Sequence, residues 1–367
     1  MFILHALQAE FGDCLLLEYG AATAPRFILV DGGPPGTYGS HLRSVIEEKI
    51  GAGGRLELVI LSHVDNDHIA GLIDLLTDLR AQRDNGEQPL VSIGGLWHNS
   101  FRRTLDPAGE LQPRLQNLMA LAGVQTTMDH AAIALNGIPE GNKLRQFAQI
   151  LQIPINAELA DPILVDPAGG TAEFDNLSFT VVGPTQENLA ALQREWEEWL
   201  EHHEDALGGL DPRVMANADE SIPNLSSICL VAEAEGRTVL LTGDARSDHL
   251  LEGLRARGYL NQAGRAHFDL FKVPHHGSDR NITKKFFRTV TADRYVISAN
   301  GKHSNPDLAT LIWLVEAARE QERHPEIIVT NETPSTRKLV EEYPVAEYGY
   351  TLTIMPEGRS AITVPLG

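Results

Sequence analysis

Four potential metal ligands follow a single apolar strand within six residues. His63, Asp65, Asp67 and His68 come directly after the run LELVILS and precede a segment with helical spacing. Imidazole and carboxylate ligands together suit Zn, Mn or Fe better than Ca or Mg. A polar turn whose aspartate only caps the following helix is the alternative explanation. The spacing favours a site for one or two cations.

Further histidines and aspartates stand where other apolar strands end. Strand ends are where α/β proteins place their sites, so we expect these side chains to converge. Gly277 leaves the backbone beside the histidine pair free to approach closely. The positions are Asp31 in LVDGG, His98 in LWHNS, Asp244 in LLTGD, His275 and His276 in FKVPHHGS, and His303 in ANGKHSNPD.

The elements that must position these residues alternate between strands and helices, which predicts an α/β fold. We expect residues 1–100 and 171–367 to form two halves of one domain, with 101–170 as a helical insertion. Residues 196–224 look like a long acidic loop. The tail, GYTLTIMP followed by SAITVPL, is predicted to close the fold as a hairpin.

The charge balance narrows the function classes. With 30 Lys+Arg and 50 Asp+Glu the formal net charge is −20, which argues against a nucleic-acid coat or a polybasic membrane-surface protein. The N-terminal segment has no basic region before a long apolar run, so we expect no signal peptide. The chain has no uninterrupted apolar stretch of about 18 residues, so we expect no membrane span. Cys14 and Cys229 lie in apolar runs and are expected to be buried thiols, which suits the cytoplasm.

In their order along the chain, these motifs closely resemble the metallo-β-lactamase fold superfamily. The superfamily signature His-x-His-x-Asp-His is matched by His63-x-Asp65-x-Asp67-His68, with an aspartate in place of the second histidine. The set NLSSICLV, LLTGDA, FKVPHHGSDRN and ISANG is similar to the C-terminal domain of the competence protein ComEC. The resemblance implies a four-layer αββα sandwich with the site at one edge between the sheets.

The same resemblance implies a dinuclear centre with a bridging hydroxide. Zn is the expected metal, and the carboxylate at position 65 makes Mn or Fe plausible as well. Asp31 is expected to support the ligands, and His98 and His276 are further candidates for a ligand or supporting role. The implied ligands are His63 and Asp65 for one metal, Asp67, His68 and His275 for the other, and Asp244 between them.

The expected reaction is metal-assisted hydrolysis of a phosphodiester or related anionic ester. Asp67 is expected to orient the nucleophile and His303 to contact substrate, while Lys272 beside the HHGS loop is expected to contact an anionic leaving group. The alternatives are a hydrolase of a small carboxylic ester, lactone or thioester, and a non-catalytic metal-stabilised binding module. The net charge favours a small or short anionic substrate over a long nucleic acid, and the oligomeric state stays open.

Overall fold

Two β-sheets packed face to face form the centre of the fold, and helices cover the outer face of each sheet. A computed structural model describes residues 1–104, 106, 108–110, 113–114, 130–207 and 226–366. This four-layer α/β arrangement confirms the fold class expected from the sequence.

The first sheet contains six strands, in the order β16-β1-β2-β3-β5-β7. In this sheet β1, β2 and β3 are antiparallel neighbours, whereas β5 and β7 run parallel to β3. A separate parallel pair, β4 with β6, lies outside it. The strands concerned are β1 (Phe2–Leu7), β2 (Leu15–Ala21), β3 (Ala24–Val30), β4 (Gly54–Leu56), β5 (Leu58–Leu61), β6 (Val91–Ile93), β7 (Leu96–His98) and β16 (Ala361–Pro365).

The second sheet contains eight strands, in chain order from one edge to the other. Antiparallel pairing joins β8 to β9, β9 to β10 and β10 to β11, and parallel pairing joins the rest. The strands are β8 (Thr171–Phe174), β9 (Leu177–Gly183), β10 (Cys229–Ala234), β11 (Arg237–Leu241), β12 (Ala266–Lys272), β13 (Val290–Ile297), β14 (Glu326–Val329) and β15 (Thr351–Ile354).

Ten α-helices lie within the described ranges. Short turns also precede α1 at Tyr38–Leu42 and occur at Pro274–Gly277 and Lys302–Ser304. The helices are α1 (Arg43–Lys49), α2 (Asn66–Asp84), α3 (Phe101–Thr104), α4 (His130–Ile150), α5 (Gln186–Leu207), α6 (Ser247–Ala256), α7 (Lys284–Thr289), α8 (Leu308–Glu320), α9 (Pro334–Glu342) and α10 (Val345–Tyr348).

Three apolar clusters fill the spaces between these layers. Leu4 and Leu17 of the first sheet pack against Phe179 and Val296 of the second, so the central cluster joins the two halves of the chain. The other two clusters lie between each sheet and its own helices. Burial of this kind contributes about 25 cal/mol per Å² of apolar surface and makes the two sheets one rigid platform for the loops at their edge.

The structure corrects two expectations about individual segments. The tail does not form a hairpin, because β15 pairs with β14 in one sheet and β16 pairs with β1 in the other. The acidic loop expected at 196–224 is helical up to Leu207, where α5 ends. Its Glu, Leu and Ala content has high helix propensity, and residues 208–225 lie outside the described part.

The segment predicted as an insertion contributes to the core. Leu144 and Phe147 of α4 pack in the same apolar cluster as Leu72 and Leu75 of α2. The boundaries of 101–170 as an insertion stay a prediction. Among the described helices, none combines the length and the apolarity needed to cross a membrane.

Candidate metal centre

The loop between β5 and α2 carries the first group of candidate ligands. Asp65 occupies the N-cap position of α2, yet its side chain makes no capping hydrogen bond. Its Oδ1 is buried with no hydrogen-bond partner among the described residues, and its Oδ2 lies 3.6 Å from Nε2 of His63. Helix capping therefore does not account for this aspartate.

Asp244 brings the second sheet to this loop. It follows β11, and its carboxylate lies 3.7 Å from Nε2 of His63 through Oδ2 and 3.3 Å from Nε2 of His68 through Oδ1. A Cβ on Gly243 would lie 2.9 Å from the Cβ of Ser62, so the backbone at Gly243 packs closely against the Ser62 side chain. Two ligands about 2.0–2.1 Å from a tetrahedral zinc ion are about 3.4 Å apart. The observed spacings suit a shared cation.

The histidine pair after β12 adds a third loop. Both residues have left-handed backbones, with φ of 48° for His275 and 55° for His276, so the chain turns sharply here. Nε2 of His276 lies 3.3 Å from Oδ2 of Asp67 and 3.6 Å from Oδ2 of Asp244. His276 is thus the histidine of the pair that lies beside Asp67, and the ligand role that the resemblance implied for His275 stays a prediction.

His275 lies at the edge of the same group. Its Nε2 is 3.8 Å from Oδ2 of Asp244, and its side chain is 19% exposed, against 4% for His276. Its Nδ1 is 2.6 Å from Oδ1 of Asn281. The sequence gives no means of ranking the two histidines, because the turn alone decides which imidazole points inward.

Acceptors on the outer side orient the imidazoles. Nδ1 of His68 donates to Oδ2 of Asp31 at 2.9 Å, and Nδ1 of His276 donates to the carbonyl of Ser298 at 3.0 Å. Nδ1 of His63 lies 3.0 Å from Oγ of Ser62, which donates to Asp31. With Nδ1 committed outward, each Nε2 can offer its lone pair to a cation bound beside Asp244.

Asp31 is the shared acceptor for this support. It has a left-handed backbone, with φ of 59°, directly after β3, and its side chain is 2% exposed. Besides His68, it accepts from the backbone N–H and the Oγ of Ser62, both at 2.7 Å. One carboxylate thus fixes both the loop backbone and an imidazole.

The site has a strongly negative potential. Burial opposes the charged form of His276, but Asp244 and Asp13 outweigh it and raise the pKa of His276 to about 10. Burial likewise opposes protonation of His68, but Asp244 and Asp31 outweigh it and raise the pKa of His68 well above the usual value. These shifts show how strongly the converging carboxylates favour positive charge at this point.

The donor set fits a metal cofactor. Two groups, His63–His68–Asp244 and Asp67–His68–His276, each bring one potential ligand atom per residue within 4.8 Å of one another. Nε2 of all three histidines and Oδ1 of Asp244 are buried and have no hydrogen-bond partner among the described residues. Buried polar atoms are normally paired, so this convergence is what a cation-binding site requires.

His98 lies close to this loop but outside these groups. It pairs with Leu61 at the end of β7, is fully buried, and both ring nitrogens have no hydrogen-bond partner among the described residues. Burial, with a contribution from Arg145, lowers the pKa of His98 to about 3. The imidazole is therefore neutral, as a metal ligand must be.

His303 occupies an exposed turn beside the histidine pair. Its φ is 55°, and the turn is tied to the site by Asn305, whose side chain donates to the carbonyl of His275 at 3.5 Å. Asp307 donates its backbone N–H to Gly277 at 3.0 Å. The structure therefore places His303 on the rim rather than among the buried candidate ligands.

Sequence reasoning missed Asp13 and misjudged Lys272. Both side chains are 1% exposed and form an ion pair behind the site, so Lys272 is not placed to contact a leaving group as expected. Burial would raise the pKa of Asp13, but Lys272 and His276 more than offset this and lower it. The Gly-Asp pair after β1 was the available signal, since the candidate ligand Asp244 is also the aspartate of a Gly-Asp pair.

The fold and this centre agree with a sequence-family comparison. Residues 9–105 match the model of the metallo-beta-lactamase superfamily. The matched range contains the β5–α2 loop and Asp31, and it ends before Asp244 and His276. The ComEC-like branch of the resemblance stays a prediction.

Two further comparisons complete the picture. The curated proteins contain no significant match to the chain. Among solved structures, one similar chain is described as "Crystal Structure of a New Diphosphatase from the PhnP Family"; it has a TM-score of 0.42 and 11% identity, covering 100% of this chain and 98% of that one. Its activity is stated for that protein alone.

Proposed function

We propose that this protein is a metal-dependent hydrolase with a dinuclear centre that cleaves a phosphodiester or a related anionic ester. The supporting observation is the convergence on Asp244 of three buried Nε2 atoms, from His63, His68 and His276. Such a donor set, brought together from three loops and two sheets, has no evident structural use without a cation.

Two zinc ions are the cofactors we propose, with Mn or Fe as alternatives because carboxylates supply several of the ligands. In this assignment, His63 and Asp65 would hold one ion. Asp67, His68 and His276 would hold the other, and Asp244 would lie between the two ions. When bound, two such ions lower the pKa of water and stabilise charge that develops on oxygen. His98 is a possible further ligand of the first ion.

Asp67 is the residue we assign to orienting the attacking water. Its side chain is 22% exposed, the most open of the carboxylates in the cluster, so both water and substrate can reach it. Contact with His276 at 3.3 Å fixes Oδ2, which leaves Oδ1 to accept a hydrogen bond from water.

Residues at the rim of the site support the proposal of an anionic substrate. Lys302 and His303 share the exposed turn that packs on the histidine pair, and the Lys302 ammonium lies 3.3 Å from the centre of the Phe11 ring. The cationic side chain of Lys302 at this point contrasts with the net charge of −20 of the whole chain. We assign to His303 a contact with the substrate anion, and the overall charge favours a small or short substrate.

The test combines metal analysis with two substrate panels. We expect about two equivalents of zinc in the purified protein, and hydrolysis of bis(p-nitrophenyl) phosphate that is lost in chelator and restored by zinc or manganese. Cleavage of carboxylic esters, lactones or thioesters alone would instead identify the protein as a hydrolase of such small substrates. Bound metal with no hydrolysis of either panel would favour a binding module, and absence of bound metal would contradict the proposal.

A further inference from the structure

A buried ion pair lies directly behind the candidate metal centre. Asp13, from the loop between β1 and β2, contacts Lys272 at the end of β12, and each side chain is 1% exposed. Burying two charges rarely stabilises a fold more than a well-packed apolar pair does. The position of this pair therefore needs a reason other than stability.

The carboxylate of Asp13 faces the outer side of two candidate ligands. Its Oδ1 lies 3.6 Å from Nδ1 of His276, and its Oδ2 lies 4.0 Å from Nδ1 of His68. The Nε2 atoms of both imidazoles face Asp244 instead. A negative charge at this point favours the proton on Nδ1 and leaves Nε2 as the electron-pair donor.

Backbone contacts hold Asp13 in this place. Its N–H donates to the carbonyl of Asp67 at 3.2 Å, and a Cβ on Gly12 would lie 2.0 Å from the same carbonyl oxygen. Ser298 donates its Oγ to the carbonyl of Gly12 at 2.6 Å and accepts from His276 through its own carbonyl. The loop is thus fixed against both ligand-bearing loops.

We propose that Asp13 and Lys272 form a positioning pair for the second cation of the proposed centre. Asp31 and the Ser298 carbonyl accept the Nδ1 protons of His68 and His276. Asp13 adds a negative charge on the same side of both rings and so favours the metal-binding tautomer, while Lys272 balances its charge. The ammonium on the carboxylate also keeps Asp13 from acting as a ligand itself, because a bound cation would be repelled. The inference rests on the proposed function. It assigns Asp13 a positioning role rather than a ligand role, although its carboxylate also lies within 4.8 Å of ligand atoms of Asp244 and His276.

The experiment compares Asp13→Asn, Lys272→Met and the double variant. Zinc stoichiometry, competition with a chromophoric chelator and the visible spectrum of the cobalt-substituted protein are the readouts, together with Tm. We expect Asp13→Asn to weaken the second zinc by about 10–100-fold, with the first unchanged and the cobalt spectrum altered. Lys272→Met should have the lowest Tm, because it leaves a carboxylate buried without its counter-ion.

The double variant separates positioning from stability. It buries no unpaired charge, so we expect Tm to recover toward the wild-type value while zinc affinity stays low. A control is Asp269→Asn with Arg237→Met, a partly exposed ion pair at 2.7 Å between β12 and β11 that contacts none of the candidate ligands. This control should bind both zinc ions like the wild type.

Specific outcomes overturn the inference. Recovery of zinc affinity together with Tm in the double variant would make the pair purely structural, and unchanged affinity in Asp13→Asn would do the same. If Asp13→Asn does not fold, the double variant supplies the affinity comparison. A wild-type protein that binds no zinc would overturn the proposed function and this inference together, whereas wild-type binding with unaffected variants would overturn this inference alone.

Discussion

Oδ1 of Asp244 lies 3.3 Å from Nε2 of His68, although the segments that carry the two residues follow strands of different sheets. The same carboxylate lies 3.7 Å from Nε2 of His63 and 3.6 Å from Nε2 of His276, so it contacts all three buried imidazoles. If a cation occupies the centre, its binding depends first on this residue.

Replacing Asp244 with Asn should therefore remove at least one zinc equivalent. We expect kcat/KM for bis(p-nitrophenyl) phosphate to fall by more than about 100-fold, beyond the range for a merely supporting residue. Metal analysis and steady-state kinetics check this. Asp269→Asn, a partly exposed carboxylate on β12 that binds Arg237, is the control and should retain both zinc and activity.

The two adjacent histidines give a matched pair of variants. His276→Ala should lose the second zinc and most activity, because its Nε2 contacts Asp67 at 3.3 Å. His275→Ala should reduce activity by less than about tenfold, as expected for a residue outside the main contacts. The same zinc titration and kinetics measure both. The reverse order of effects would restore the assignment made from the resemblance.

The close packing of α2 on the loop after β3 gives a prediction about backbone contact. A Cβ on Gly71 would lie 1.9 Å from the carbonyl oxygen of Gly32, so Gly71→Ala must move the helix. We expect a loss of about 1–3 kcal/mol in the free energy of unfolding and weaker zinc binding, since His68 moves with α2. Gly39→Ala, where a Cβ meets nothing within 4 Å, should leave both unchanged. Denaturant unfolding and zinc titration test the pair.

The raised pKa of His276 predicts a pH dependence for the metal-free protein. Its value in the folded state, about 10, lies above the usual 6.5. The native state therefore binds this proton more tightly, and the stabilisation is complete below pH 6.5 and lost as pH rises toward 10. Thermal melts in chelator should show Tm falling over this range.

The metal-loaded protein should behave differently, because a cation replaces the proton. Its Tm should not show this fall, and zinc affinity should rise with pH as the competing proton is released. Calorimetry in buffers of different ionisation enthalpy measures the protons released. An identical fall in Tm with and without zinc would contradict this explanation.

The sequence predicted the part of the site that depends on strand ends. Asp31 and His63 follow β3 and β5, which are parallel neighbours in the first sheet, and Asp244 follows β11 of the second sheet. The structure brings the ends of these strands together: Oγ of Ser62 donates to Asp31, and Nε2 of His63 lies 3.7 Å from Asp244. The choice between His275 and His276 was not predictable, because it depends on two consecutive left-handed residues. Such backbone values are uncommon outside Gly, and the enrichment of Asn, Asp and His among them does not indicate which of two adjacent histidines points inward.

Other features depended on long-range pairing. The Asp13–Lys272 contact joins the first loop of the chain to β12, and no local pattern indicates that a lysine after an apolar strand turns inward to a carboxylate. The tail strands β15 and β16 have the alternation of a hairpin, but each finds a partner in a different sheet. Local spacing predicts strands far better than it predicts their neighbours.

The pairing of β16 with β1 has a consequence for synthesis of the protein. A chain leaving the ribosome exposes β1 long before residues 361–365 emerge, so one edge of the first sheet keeps unpaired N–H and C=O groups through most of translation. Asp244 likewise emerges well after the loop that carries His63. In the proposed function, capture of a cation by the full centre would consequently be a late step, which follows assembly of both sheets and cannot guide the folding of the nascent N-terminal part.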